Sequence, residues 1–241
     1  MSTAGRGVLE GAFALLDSIE EAGEARLAAL AAASGLPKSS AHRLLEQLIL
    51  LGAVERTGGV YRMGPRVFRL GSTWQPYPGL LAAAQGPVRR LAEATGTTVT
   101  ICVLHEGRTM AAAGVQGEIA ELVPVQPGMT WPATTAAGRV LTAWAPPGTP
   151  LGPLPGTWRR TASDIRERGA AFDREEVLPG VSCAAVPLHG PHGRVIAALA
   201  SIAPAGRDLN AAADSLHRTA RAIRTGLCRT VPRPAVARLG G

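Results

Sequence analysis

Lys38-Ser39-Ser40-Ala41-His42-Arg43 is a run of hydrogen-bonding side chains broken by one alanine. On a helix, Ala41, Leu44, Leu45 and Leu48 fall on one stripe, which turns Ser39, Ser40, His42, Arg43 and Gln47 to the opposite side. A face of that kind sets donors and acceptors against base edges in a major groove, with the arginine suited to a bidentate contact to guanine. Arg26, Lys38, Arg56 and Arg62 flank it and are suited to phosphate oxygens. Taken singly, each of these residues is an ordinary solvated group, and Arg62 an ordinary cross-strand partner of Glu55. Their joint spacing points to double-stranded DNA.

Other chemistries find less support. His189 and His192 flank a tight Gly190-Pro191 turn, with no Cys, Asp or third His at metal-ligand spacing. Cys183 as a nucleophile, with His105 or His189 as its base, lacks an orienting third group. A small buried hydrophobe is the better reading of that cysteine. Arg218, Arg221 and Arg224 lie at i, i+3 and i+6, a pattern more common on a solvated helix face. No catalytic residue, metal site or cofactor is expected.

The elements that position the basic residues are legible. Val8, Leu9, Ala12, Leu15, Leu16 and Ile19 recur at helical spacing over residues 8–21, and Gly23 ends that helix. A second helix runs from Arg26 to Ser34 into Gly35-Leu36-Pro37, where glycine permits a tight turn and proline suits the start of the third helix, Lys38 to Leu51. Gly58-Gly59 is a two-residue hairpin signal that sets Arg56 opposite Tyr61, Glu55 opposite Arg62 and Val54 opposite Met63. Three helices and a hairpin make a winged helix-turn-helix. Pro65 opens a short linker helix, and Gln75-Pro76-Tyr77-Pro78-Gly79 breaks the chain.

Charge supports this assignment. Residues 8–24 hold Glu10, Asp17, Glu20, Glu21 and Glu24 with no Lys or Arg, whereas residues 25–70 hold seven basic residues against Glu46 and Glu55. Polarity thus switches sharply within a small domain, and its basic side is the footprint expected where phosphates are met, in a chain whose net charge is +7.

Beyond the break, Leu80 to Ala94 reads as a helix and TTVTICVLHEGRTMAAAGV as two strands around Glu106-Gly107. Thr134 to Gly138 is a loop feeding a helix at Arg139 to Trp144. Ser163 to Gly169 reads as a short charged helix, and VSCAAVPLHGPHGRVIAALASIA as an apolar hairpin. Asn210 to Leu227 closes the chain, ahead of an Arg/Pro-rich end expected to fray. The fold class is α+β, divided into a DNA-binding domain (1–64), a linker helix (65–78) and an α/β domain (79–241). Cys102, Cys183 and Cys228 are odd in number and widely spaced, and neither a secretory signal nor an apolar run of membrane-spanning length is present. A cytoplasmic protein with reduced thiols and no membrane partner is expected.

GLPKSSAHRLLEQLILLGAVER followed by GGVYRMGPRVFRLG resembles the DNA-binding half of the isocitrate lyase regulator (IclR) family. GMTWPATTAAGRVLTAW sits where that family has a Pro-Leu-His-Ala-Thr-Ala-x-Gly-Lys-Ala helix start, and DIRERGAAFDREEVLPGVSCAAVPLHGPHGRVIAALA resembles its ligand-domain signature. Together these cover about residues 8–226. The resemblance implies a GAF-like effector domain, a homodimer or homotetramer on a pseudo-palindromic operator, and control by a small molecule. A rival expectation is a small-molecule-processing or scavenging protein with an idle DNA-binding domain.

The resemblance also implies an effector pocket. The helix start at Thr135, Ala136 and Ala137 offers backbone amides and the positive end of a dipole. Asp173, Cys183, Ala200 and Ile202 supply the rest. Where small-acid-binding members resemble Ser-x-Ser, this chain has Ala200-Ser201-Ile202, and strand alternation sends Ser201 to the opposite face. Trp131-Pro132-Ala133 replaces the Pro-Leu-His, exchanging an imidazole for a methyl and adding an indole. An effector larger and more apolar than glyoxylate or pyruvate is expected.

Overall fold

The computed structural model describes residues 7–230 and divides into two compact units between Trp74 and Gln75, within the expected linker. In the first unit, α1 (Val8–Ala22), α2 (Leu27–Ser34) and α3 (Lys38–Leu50) pack around Leu15, Ile19, Leu30, Leu45 and Tyr61. Gly35 ends α2 at φ +66°, and the next amide, Leu36 N–H, reaches back to the Ala31 carbonyl at 3.0 Å. This is a glycine-dependent helix stop that redirects the chain into α3. The buried face of α1 is Gly11, Leu15, Ser18 and Ile19, so the expected stripe shifts: Val8 and Leu9 are exposed.

The wing has the expected register, with β2 (Val54–Thr57) and β3 (Val60–Met63) turning at Gly58 and Gly59, both at positive φ. A third strand, β1 (Glu24–Arg26), pairs with the other edge of β3. Arg26 therefore lies in a strand rather than opening α2, because three residues carry no alternation from which a strand is legible. The linker helix α4 (Pro65–Gly71) stops before the expected residue 78 and buries none of its side chains.

In the second unit six antiparallel strands run in the order β6-β5-β4-β9-β8-β7. These are β4 (Thr98–His105), β5 (Arg108–Val115), β6 (Thr130–Trp131), β7 (Ala171–Arg174), β8 (Val181–His189) and β9 (Val195–Pro204). Helices α5 (Leu80–Thr95) and α8 (Leu209–Thr230) cover one face, where Leu80, Val88, Leu216 and Ile223 meet Val99, Ile101, Val186 and Leu199. Helices α6 (Ala136–Ala143) and α7 (Trp158–Arg168) cover part of the other, against Cys102, Ala185, Ala198 and Ala200. Period-two alternation thus divides β4, β8 and β9 between two cores. Helix α7 begins five residues before the expected Ser163, and β6 and β7 are too short to announce themselves by pattern.

Candidate DNA interface and effector cavity

The structure brings the first set of expected residues to the α3 and wing side of the first unit. Lys38, Ser39, His42 and Arg43 are exposed on α3, and Ser40 is half-buried beside Ala41. Arg43 and Lys38 have no acceptor among the described residues. The wing cations are engaged: Arg62 donates from Nε and Nη2 to Glu55 Oε2 at 3.0 and 2.8 Å. That cross-strand pair offsets part of the charge that Arg62 presents to a phosphate. Arg56 stacks 5.3 Å over the Tyr61 ring and lies 3.6 Å from Glu46, which also approaches His42 at 3.7 Å. Arg26, in β1, is exposed opposite Val60.

The second set converges on one cavity on the α6 side of the sheet, about 620 Å³ counting its open mouth. Trp131, Thr135, Ala136, Ala137, Asp173, Cys183, Ala200 and Ile202 all line it. Strand alternation accounts for the last pair, because Ser201 between them points to the α5 and α8 face and meets Thr97 Oγ1 at 2.8 Å. Thr97 in turn lies 2.8 Å from Thr95, whose hydroxyl donates to the Leu91 carbonyl.

The helix start is narrower than expected. Thr135 N–H donates to the Pro132 carbonyl and Gly138 N–H to Thr135 Oγ1, both at 3.2 Å. Only the Ala136 and Ala137 amides, of those at this terminus, lack an acceptor among the described residues. Gly138 is required at the turn, since a Cβ there would lie 2.5 Å from the Ala133 carbonyl oxygen and from Thr109 Oγ1. On the opposite wall, Asp173 is buried and accepts from Glu176 N–H at 2.9 Å.

Several lining residues escape the sequence. Thr100 and Thr109 present hydroxyls from β4 and β5, although the Thr100 proton is committed to the Ala113 carbonyl at 2.9 Å. Val177 and Leu178 come from the turn between β7 and β8. Val123 comes from a loop that Gln116 holds through both its amide groups on Val125. Such loop residues carry no periodicity, and only the β7 to β8 turn, adjacent to Asp173 in sequence, offered a hint.

The cavity thiols are suppressed. Burial pushes Cys102 up to about 12, and burial, followed by the charges of Asp173 and Cys102, pushes Cys183 up to about 12. No histidine lines the cavity. His189 instead meets Trp144 edge-on at 6.5 Å, and burial lowers its pKa. Among the described residues no cluster of His, Cys, Asp and Glu is arranged to hold a metal ion, and no helix is long and apolar enough to cross a membrane.

Comparison with known proteins agrees with this architecture. Residues 8–58 match the IclR helix-turn-helix domain and residues 157–228 the bacterial transcriptional regulator IclR C-terminal domain. The chain is 30% identical over 210 residues to the HTH-type transcriptional regulator XynR of Escherichia coli, spanning 79% of this chain and 83% of that protein. It is 28% identical over 216 residues to the acetate operon repressor of Salmonella typhimurium, spanning 80% and 78%. An IclR homolog of Microbacterium hydrocarbonoxydans complexed with 4-hydroxybenzoate shares the fold with a TM-score of 0.83 at 20% identity, covering 93% of this chain and 100% of that one. Matched in both halves, and aligned over most of its length with a 30% identical regulator, the chain belongs to the IclR family of transcriptional regulators, with a helix-turn-helix that binds DNA and a C-terminal domain that binds a small-molecule ligand.

Proposed function

We propose that this regulator acts in the cytoplasm as a homodimer or a dimer of dimers on a pseudo-palindromic operator. Ser39, Ser40, His42 and Arg43 enter the major groove, and Arg26, Lys38 and Arg56 meet phosphates. A second copy is favoured by α4, a seven-residue helix without a buried side chain that exposes Phe68 and Leu70. A helix that short gains little from its own hydrogen bonds and is stabilised by packing.

The effector we infer has an apolar body, an acceptor group facing the Ala136 and Ala137 amides, and a donor facing Asp173. The carrying observation is the cavity lining, in which only Thr100, Thr109, Thr135 and Asp173 are polar among fifteen residues. Burial of apolar ligand surface contributes about 25 cal/mol per Å², and a two-carbon oxoacid has little to bury. A hydroxylated aromatic acid of the size of 4-hydroxybenzoate fits this balance and is a natural first probe. The suppressed thiols and the absence of histidine from the lining favour sensing over catalysis.

Calorimetric titration tests the assignment with glyoxylate, pyruvate and 4-hydroxybenzoate against wild type and an Ala200→Ser, Ile202→Ser double variant. Wild type should favour the larger compound, and the double variant should gain affinity for the small acids. Equal binding of glyoxylate by wild type, or no gain in the variant, would place the effector elsewhere. A scavenging protein with an idle DNA domain would retain the titration but protect no genomic DNA fragment from nuclease.

A further inference from the structure

We infer that Glu46 is a positioning residue for DNA recognition, holding the wing arginine Arg56 in fixed register with the recognition helix. Glu46 is the acidic residue of α3, a helix that also carries Lys38 and Arg43. Its Oε1 is shielded from water and makes no hydrogen bond, yet lies 3.6 Å from Arg56 Nη1 and 3.7 Å from His42 Nε2. Arg56 comes from a different element, β2, and its guanidinium also lies over the Tyr61 ring, 5.3 Å from the centroid. Tyr61 is itself fixed in the core of the domain.

The remaining wing pair, Arg62 with Glu55, closes within the hairpin and does not reach α3. Among the described residues, Glu46 is therefore the ionic tie between groove-reading helix and wing. Its bland alternative is a solvated i,i+4 partner of His42, which would leave Arg56 untouched. A half-exposed ion pair of this length adds little to fold stability. Its effect falls on where a long, flexible cation is held, and a preorganised arginine loses less freedom on docking. As a carboxylate among phosphate-binding groups it also opposes DNA that does not engage Arg56, which raises selectivity.

The inference rests on the α3 and wing face being the DNA-contacting face, so the test carries its own control. Duplexes are selected from a randomised pool with the full-length protein, and affinities for a selected and a scrambled duplex are measured by anisotropy. The variants are Glu46→Gln, Arg56→Ala, their combination, and Arg43→Ala. Glu46→Gln should weaken the selected duplex about tenfold while leaving the scrambled duplex unchanged or tighter, with an unaltered thermal melt. Arg56→Ala should cost much less in the Glu46→Gln background than in wild type. Additive losses, or equal tightening on both duplexes, would overturn the positioning role. If Arg43→Ala leaves the affinity for the selected duplex unchanged, the DNA face itself is misassigned. If Arg43→Ala weakens the selected duplex and Glu46→Gln changes nothing, only the role of Glu46 falls.

Discussion

The guanidinium of Arg139 on α6 grips the carboxylate of Glu176 and also donates to the Phe172 carbonyl at 2.8 Å, tying the helix that opens the effector cavity to the turn that walls it. Val177 and Leu178, next in sequence, line that wall. The hydrogen bond from Arg139 holds the Glu176 carboxyl below its ordinary value of 4.5. A depressed folded-state value means the contribution is present above the unfolded value and is lost as pH falls through the folded one. Arg139→Met should therefore flatten the pH dependence of urea unfolding below about pH 4.5. Near neutrality it should cost about 1 kcal/mol, a figure kept small because Glu176 is half exposed and screened. Unchanged acid sensitivity would separate this pair from stability.

Arg43 projects from α3 with no partner among the described residues, which frees both arms of its fork for a base. Arg43→Ala should reduce affinity for the specific operator by about 1 to 3 kcal/mol with the melting temperature unmoved. Lys38→Ala should instead weaken every duplex similarly and reduce the slope of affinity against salt by about one ion. Footprinting across a salt series distinguishes the two outcomes.

Gly138→Ala should damage the cavity from within. Its Cβ would meet backbone and the Thr109 hydroxyl at 2.5 Å, closer than packing tolerates. Helix α6 must shift, at about 1 to 3 kcal/mol. Chemical denaturation reads the loss, and calorimetry should show weakened effector binding in the fraction that folds.

Thiol chemistry should sort the three cysteines. Cys228 is exposed, while Cys102 and Cys183 are held near 12. At pH 8 one thiol should react rapidly with an aromatic disulfide reagent, and two more only after denaturation, since thiolate is the reactive form. A second fast thiol in the native protein would show that the cavity is more hydrated than its lining implies.

Phe68 is 80% exposed on α4. If α4 pairs with a second copy, Phe68→Ser should raise the dimer dissociation constant roughly ten- to a hundredfold, from the loss of about 1.5 to 3 kcal/mol of apolar burial. Sedimentation at micromolar concentration checks this, and an unchanged profile would move the interface to the other domain.

Much of this architecture was legible because its signals are local. Gly58-Gly59 fixes a hairpin and its register, Gly35 fixes a helix stop, and the alternation of Ala200, Ser201 and Ile202 assigns each side chain to a face. What was not legible depends on partners distant in sequence. Strand β1 exists because β3 offers an edge, and β7 because β8 does. Arg62 looks the same alone as when bound to Glu55. Val8 and Leu9 fit the helical stripe of α1, but the core at that end is already closed by Gly11 against Leu44 and Leu36. In the cavity, the helix start and strand positions could be named, whereas Val123, Val177 and Leu178 arrive on loops whose paths only the folded chain defines.

The hydroxyls behind the cavity constrain how its chemistry can change. Because Thr95 donates its proton to the Leu91 carbonyl, Thr97 must donate to Thr95, and Ser201 to Thr97, so each proton in the chain has one destination. A one-residue slip of β9 would deliver the Ser201 hydroxyl to the ligand side, but would bring a methyl to Thr97 and strand a buried polar group. Length changes in the Gly190 to Gly193 turn are therefore a closed route to a more polar cavity. On β9, a change of ligand class proceeds by substitution at Ala200 or Ile202, with Ser201 left where it is.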